Sequence, residues 1–299
     1  MKTKDSFSRK VFNVFNIIFF LAMMLVILFP YINVLAKALN DGSDTALGGI
    51  TFFPRKFTWE NFGAVINDAA FPRALLLTIS ITLLGTLVGL LVQYMTAYVF
   101  LNKDLMGRTW LLFFFMIPMY FGGGLIPTYI LYSKIGMLNN YLIYILPGCF
   151  SMYNMIIIRT YLSSISDSLR EAAKLDGAND FGIAFKVVLP LAKPVLATVA
   201  LWLAVGIWSN WTTTLYYVTD KSLFTLQYLL MQVLKEADKI QRIINEALLR
   251  GEILEIQPKV TTDSVRSAQI IITTIPIVIV YPFLQKYFIK GVMLGAVKD

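Results

Sequence analysis

Catalytic chemistry has little to work with in these 299 residues. Histidine is missing, which excludes His-based triads, His general bases and His metal ligands together. Cys149 is the sole cysteine, so neither an intrachain disulfide nor a Cys-rich zinc site can form. No stretch resembles Gly-x4-Gly-Lys-Ser/Thr, the loop whose backbone cradles nucleotide phosphates. The polar residues with informative spacing lie instead between Arg159 and Lys193. Ser168 followed by Glu171 at i+3 is a capping box and predicts a helix start. Glu171, Ala172 and Ala173 are good helix formers, and Gly177 is a C-terminal stop. Asn179 is placed to cap a second helix, which Pro190 limits. On these residues alone the segment is a helical hairpin, with Glu171 as its capping carboxylate.

The elements that position this hairpin follow from composition. The chain is 57% apolar and 15% charged, against about 45–50% and about 25% in an average soluble domain. Its mean hydropathy is +0.68. A soluble fold of this size cannot hide so much apolar surface, and disorder needs low hydrophobicity. Lipid is the matching solvent. A span needs about 20 apolar residues to cross about 30 Å of hydrocarbon, and a charge at its centre costs about 2.5–3.5 kcal/mol. Six long stretches lack Asp, Glu, Lys and Arg: 11–36, 74–102, 109–133, 135–158, 194–219 and 267–285, together 149 residues. The first exceeds a signal h-region of about 7–15 residues and is expected to stay as an anchor.

Loop charge sets the orientation. With the N-terminus inside, the inner segments 1–10, 103–108, 159–193 and 286–299 hold 14 Lys/Arg and 7 Asp/Glu. The longer outer segments, 37–73, Lys134 and 220–266, hold 12 and 11. The denser basic charge puts both termini in the cytoplasm. The expected architecture is therefore an all-α integral membrane protein with six transmembrane helices. It has an N-terminal tail over 1–10, a six-span domain over 11–289 and a C-terminal tail over 290–299. The hairpin protrudes on the cytoplasmic side, between spans four and five. Of the net charge of +8, +7 falls on that face, so the basic excess marks the cytoplasmic side rather than a nucleic-acid surface.

Three segments between or within spans add detail. Thr58 with Asn61 three residues on reads as a helix entry with Thr58 as N-cap, among aromatics suited to the headgroup level. In 220–266, apolar residues from Phe224 to Leu248 recur at helical spacing with charges in the gaps, an amphipathic helix or helix pair ended near Gly251. Gly122, Gly123 and Gly124 interrupt the third stretch, allowing either close helix approach or a local break.

The hairpin pattern also carries a resemblance. Glu171-Ala172-Ala173, three residues, Gly177, nine residues, Val187, then Leu189 and Pro190 resembles the corresponding loop of ABC importer permeases, with valine where isoleucine is usual. Leu175-Asp176-Gly177-Ala178 is similar to the sugar-importer branch. The stretch Phe53 to Phe62 is similar to the first outer loop of the maltose-type second permease. Phe288 to Lys298 resembles that family's ending, apart from Asp299 where glycine is common. The long 220–266 segment looks like the branch serving complex oligosaccharides and polysaccharide fragments.

The resemblance implies a permease subunit that imports carbohydrate by alternating access. Its partners are a second permease chain, two ATPase subunits and an external substrate-binding protein. This chain itself is neither an enzyme nor a cofactor carrier. The helix around Glu171 becomes the coupling helix, seated in a cleft of the ATPase. Glu171, Ala172, Ala173, Asp176, Gly177, Leu189 and Pro190 are then the coupling residues. Glu171 pairs with a basic group of the cleft, and the two alanines leave room for close approach. Sugars are held by aromatic faces and by amide or hydroxyl groups, so Tyr120, Tyr153, Asn154, Trp208, Asn210 and Trp211 are substrate-path candidates. Helix–helix hydrogen bonding and interfacial anchoring are the alternative roles for each. An ion-coupled secondary transporter would need ionisable groups within the spans, and the six stretches have none. A plain membrane scaffold leaves the Glu-Ala-Ala pattern unexplained.

Overall fold

The computed structural model describes residues 7–67, 69–250 and 260–296. Regular structure among them is helical, with one isolated antiparallel bridge between Asn40 and Phe57. Helix α1 (Phe7–Ala38) takes up the first charge-free stretch and continues through Pro30. The loop after it holds the short α2 (Gly42–Ala46) and α3 (Glu60–Ile66), and α4 (Phe71–Val99) is the second long helix. Then come α5 (Arg108–Tyr120), α6 (Leu125–Lys134) and α7 (Met152–Ser163). The hairpin region holds α8 (Asp167–Leu175), α9 (Asp180–Gly182) and a π-helical stretch, Ile183–Val188, which leads directly into α10 (Leu189–Trp208). Last are α11 (Thr212–Tyr217), α12 (Leu226–Leu249) and α13 (Thr262–Ala296). Four helical runs are long and apolar enough to cross a membrane: Phe7–Ala38, Phe71–Val99, Asp180–Trp208 and Thr262–Pro282. Two bent pairs raise the number to six if each is one span.

The charge-free stretches and the helices differ in instructive ways. The third stretch is two helices, α5 and α6, set at 114°. A Cβ at Gly122, Gly123 or Gly124 would meet nothing within 4 Å. The glycines therefore serve a break and not a close helix approach. Gly124 sits at φ +82° and ψ 173°, a region essentially restricted to glycine. The fourth stretch begins with 3₁₀ turns over Tyr141–Tyr144 and Leu146–Gly148, bent 48° from α7. The fifth helix starts earlier than its charge-free stretch, at Asp180, because Lys186 and Lys193 are accommodated on its outer turns. Pro190 does not limit it. Proline is tolerated in the opening turn of a helix, and Pro190 occupies that position in α10, directly after the π-helical stretch. At the C-terminus α13 runs on to Ala296, so Lys290 and its neighbours continue the last helix. Gly251 and Asp299 lie outside the described residues.

The chain divides into two compact units, 1–71 with 232–274 and 72–231 with 275–299. In the first, a buried polar knot follows α1. The amide of Asn40 donates to Asp44 Oδ2 and Thr45 Oγ1, both at 2.9 Å, and its carbonyl accepts from Lys56 N at 2.8 Å. Asn61, fully buried, donates to the carbonyls of Ala38 and Asn40 at 2.9 and 2.8 Å. Arg55 closes the knot on Asp44 at 3.0 Å. The Asp44 carboxyl is held below its ordinary range, first by the Asn40 amide and then by Arg55. Asn61 thus ties α3 to the end of α1, and Trp59 rather than Thr58 is the N-cap residue of α3. Thr58 Oγ1 accepts from Glu60 N at 3.1 Å, one register short of the expected cap.

In the second unit the core is built from α4, α7 and the π–α10 run. Tyr94, Ala97 and Phe100 pack against Met155, Ile158 and Leu162, and against Ile183, Val188 and Val199. A further cluster joins Ile81, Ile143, Tyr144 and Val218. There the Tyr144 hydroxyl reaches Thr214 Oγ1 at 2.9 Å and donates to the Leu223 carbonyl at 2.7 Å.

Candidate functional site

The hairpin is shaped by local caps. Ser166, and not Ser168, is the N-cap of α8, its hydroxyl accepting from Ser168 N at 3.3 Å. Two serines compete for the cap. The choice of Ser166 places Asp167 in the first turn, where a carboxylate complements the helix dipole. Asp167 pairs with Arg170, with Lys103 at 3.8 Å, and Arg170 holds its carboxyl below the ordinary range. The helix ends in a Schellman motif. Ala178 N donates to Ala173 O at 3.0 Å and Gly177 N to Lys174 O at 3.1 Å. Gly177 takes φ +81°, the left-handed conformation this motif requires. Asn179 Oδ1 then accepts from Gly182 N at 2.7 Å and starts the next helix, as its position predicts.

These caps fix which groups face outward. Glu171 and Ala172 are exposed, while Ala173 and Ala178 turn inward onto the core. The displaced cap frees Glu171 from the capping-box role, and its carboxylate has no hydrogen bond or ion pair among the described residues. Leu175 is 89% exposed and Phe181 68%, either side of the turn at Asp176 and Gly177. Sequence reasoning gave neither side chain a role. The signal for them was two large apolar residues flanking the stop glycine of an otherwise polar hairpin. Behind Glu171, a mixed-charge crevice of about 460 Å³ is lined by Asn102, Lys103, Asp167, Arg170 and Lys174. Leu189 packs at the edge of the core and Pro190 is exposed at the base of α10. The coupling candidates therefore divide. Glu171, Ala172, Asp176 and Gly177 form one exposed face with Leu175, whereas Ala173 and Leu189 anchor it.

The substrate-path candidates fall into separate settings. Tyr120 is exposed at the end of α5, beside the glycine break. The Tyr153 ring lies 6.3 Å from that of Trp202, tilted by 32°, and Asn154 is buried in the first turn of α7. Trp208 is buried and lines a wholly apolar crevice of about 200 Å³ with Ile79, Leu83, Leu201 and Pro276. Asn210 is committed to its own chain. Its Oδ1 accepts from Thr213 N at 3.1 Å and its amide donates to Thr213 Oγ1 at 3.0 Å, opening α11. Trp211 is the half-buried N-cap residue of that helix. Among the described residues no three of Cys, Asp and Glu converge as metal ligands would.

Long apolar helices with a capped, exposed hairpin between α7 and α10 are what a membrane subunit with a partner at its surface needs. The chain belongs to the family described as the binding-protein-dependent transport system inner membrane component, which matches residues 85–294. It is 33% identical to the polygalacturonan/rhamnogalacturonan transport system permease protein YtcP of Bacillus subtilis (strain 168), over 94% of this chain and 96% of that one. It is 34% identical to Protein LplC of the same organism, over 97% and 95%. A crystal structure of a bacterial ABC transporter involved in the import of the acidic polysaccharide alginate matches with a TM-score of 0.83 at 29% identity, covering 96% of this chain and all of that one. The chain is thus an inner-membrane component of a binding-protein-dependent ABC transport system, the permease and not the motor.

Proposed function

We propose that this subunit carries an oligosaccharide or polysaccharide fragment across the cell membrane, driven by ATPase subunits that dock on α8. The relatives' names supply the substrate class, since they transport polygalacturonan, rhamnogalacturonan and alginate. The observation that carries the docking role is the unpaired, exposed Glu171, next to the small Ala172 and one turn before the exposed Leu175. A carboxylate in that position suits a charge-assisted bond to a basic group, and the flanking apolar surface suits burial in a cleft. Six spans with both termini cytoplasmic, each bent pair counting once, put this face on the ATPase side. A second permease chain and an external binding protein complete the assembly. The energy comes from those ATPases, so neither cofactor nor catalytic group is assigned to this chain. Of the path candidates, Tyr120 and Tyr153, the latter beside the exposed ring of Trp202, keep a sugar-lining role as exposed aromatic faces. Trp208, Asn210 and Trp211 act in packing and capping.

The test is Glu171→Ala in the reconstituted importer, assayed with labelled oligogalacturonides and alginate oligosaccharides. Uptake is expected to fall about ten-fold while the complex still assembles and the ATPases still turn over. Normal uptake with fully stimulated ATP hydrolysis overturns the assignment.

A further inference from the structure

The coupling helix has to act on the bundle through something, and α4 carries the contacts for it. Gln93 and Tyr94, neighbours on α4, are both buried, at 0% and 1% exposure. Buried polar groups in a protein core are kept where they are hydrogen-bonded. Each of these donates to a backbone carbonyl at an irregularity in a neighbouring element. The Gln93 amide reaches the Cys149 carbonyl at 3.2 Å, where the 3₁₀ turns give way to α7. The Tyr94 hydroxyl reaches the Ala184 carbonyl at 2.6 Å, inside the π-helical stretch. One turn further along α4, Tyr98 approaches the Asp180 carbonyl at 3.5 Å, and its ring lies 6.4 Å from that of Tyr94. Phe185 packs its ring on Tyr94 at 6.2 Å. The α7 and π–α10 segments are the two arms of the hairpin that presents α8. One helix therefore holds both arms.

π-helical segments are found frequently at functional sites. The Ala184 carbonyl accepts from Leu189 N within the stretch, and the Tyr94 hydroxyl is its second donor. We infer that Tyr94 is a positioning residue of the transport cycle: its hydroxyl holds the π-helical stretch in register and so sets the angle at which α8 meets its partner. This rests on the docking role proposed above for α8. Phenylalanine at position 94 would keep the ring, its packing on Phe185 and the buried volume, and would remove only the oxygen.

The experiment uses Tyr94→Phe in the complete importer in lipid nanodiscs, with two readouts. Amide hydrogen exchange over 183–189 is expected to rise about five-fold, with 196–206 unchanged as an internal control. Stimulation of ATP hydrolysis by the binding protein is expected to fall about five-fold, with the unstimulated rate of the ATPases retained. Unchanged exchange over 183–189 overturns the inference, and so does undiminished stimulation. A wild-type complex that shows no stimulation at all refutes the docking role instead, and the exchange readout still decides for Tyr94. Should Tyr94→Phe not assemble, Tyr98→Phe removes the weaker contact one turn away. It is expected to raise exchange over 180–184, and unchanged exchange there overturns the inference.

Discussion

Gly177 shows how one backbone angle can shape the exposed face of a hairpin. Its left-handed φ of +81° lets α8 close its Schellman motif, and a Cβ there would meet no atom within 4 Å. Space is available, so the cost of a side chain is conformational: about 1–2 kcal/mol for a residue with a Cβ in this region. Asparagine tolerates the region better. Gly177→Val is expected to cut uptake several-fold while the complex still assembles, and Gly177→Asn to keep most of the uptake. Equal activity of all three would separate this turn from coupling. Gly177 and Asn179 were legible in the sequence because caps are local, settled within three or four residues. The N-cap was not, because Ser166 and Ser168 have the same chemistry. Asp167 in the first turn, paired with Arg170, accompanies the choice of Ser166. The freedom of the Glu171 carboxylate follows from that two-residue shift.

At the scale of elements, counting uncharged residues found the long apolar runs but not where they break. A run of 25 uncharged residues from 109 to 133 is one span by composition and two helices at 114° in the fold. The glycine triplet marked the place without fixing the outcome, since both close packing and a break need glycine. The three glycines are not equivalent. Only Gly124 of the three holds a positive φ. Gly124→Val is expected to cost about 1–3 kcal/mol at that peptide and to lower both uptake and thermal stability. Gly122→Ala, with open space around it, is expected to leave uptake within about two-fold. An equal loss from both would mean that the break depends on bare backbone along its whole length. Pro190 misled for a related reason. Proline ends a helix from its interior but is at home in a first turn, and which of the two applies depends on the π-helical stretch before it. Nothing in the residue types of Ile183–Val188 announces that stretch.

For the whole molecule, the inner and outer faces are the property to test, because loop charge alone assigns them. A Cys149→Ser background removes the native thiol, and single cysteines then report the side. Leu47, 82% exposed in the loop after α1, and Leu175, 89% exposed on the hairpin, are suitable positions. In intact cells a membrane-impermeant maleimide is expected to label Leu47→Cys, and to label Leu175→Cys only after permeabilisation. The opposite pattern would invert the topology and remove the ATPase from α8. The membrane class and the hairpin were legible at this scale because apolar length and the Glu-Ala-Ala spacing are properties of the linear chain. The substrate path was not. Lining a path depends on which groups remain uncommitted after folding, and Asn210 is spent on Thr213 while Trp208 faces an apolar crevice.

The π-helical stretch also fixes a phase. Each residue of an α-helix advances the chain by about 100° around the axis. A π segment takes more residues per turn, so whatever precedes it is rotated relative to an unbroken α-helix. Removing one residue from Ile183–Val188 would leave every side chain of α8 intact. It would shift by one residue the backbone that the π-helical stretch presents to Tyr94 on α4. The approach of the hairpin to the core is therefore written in a residue count just ahead of α10, some distance from Glu171 itself.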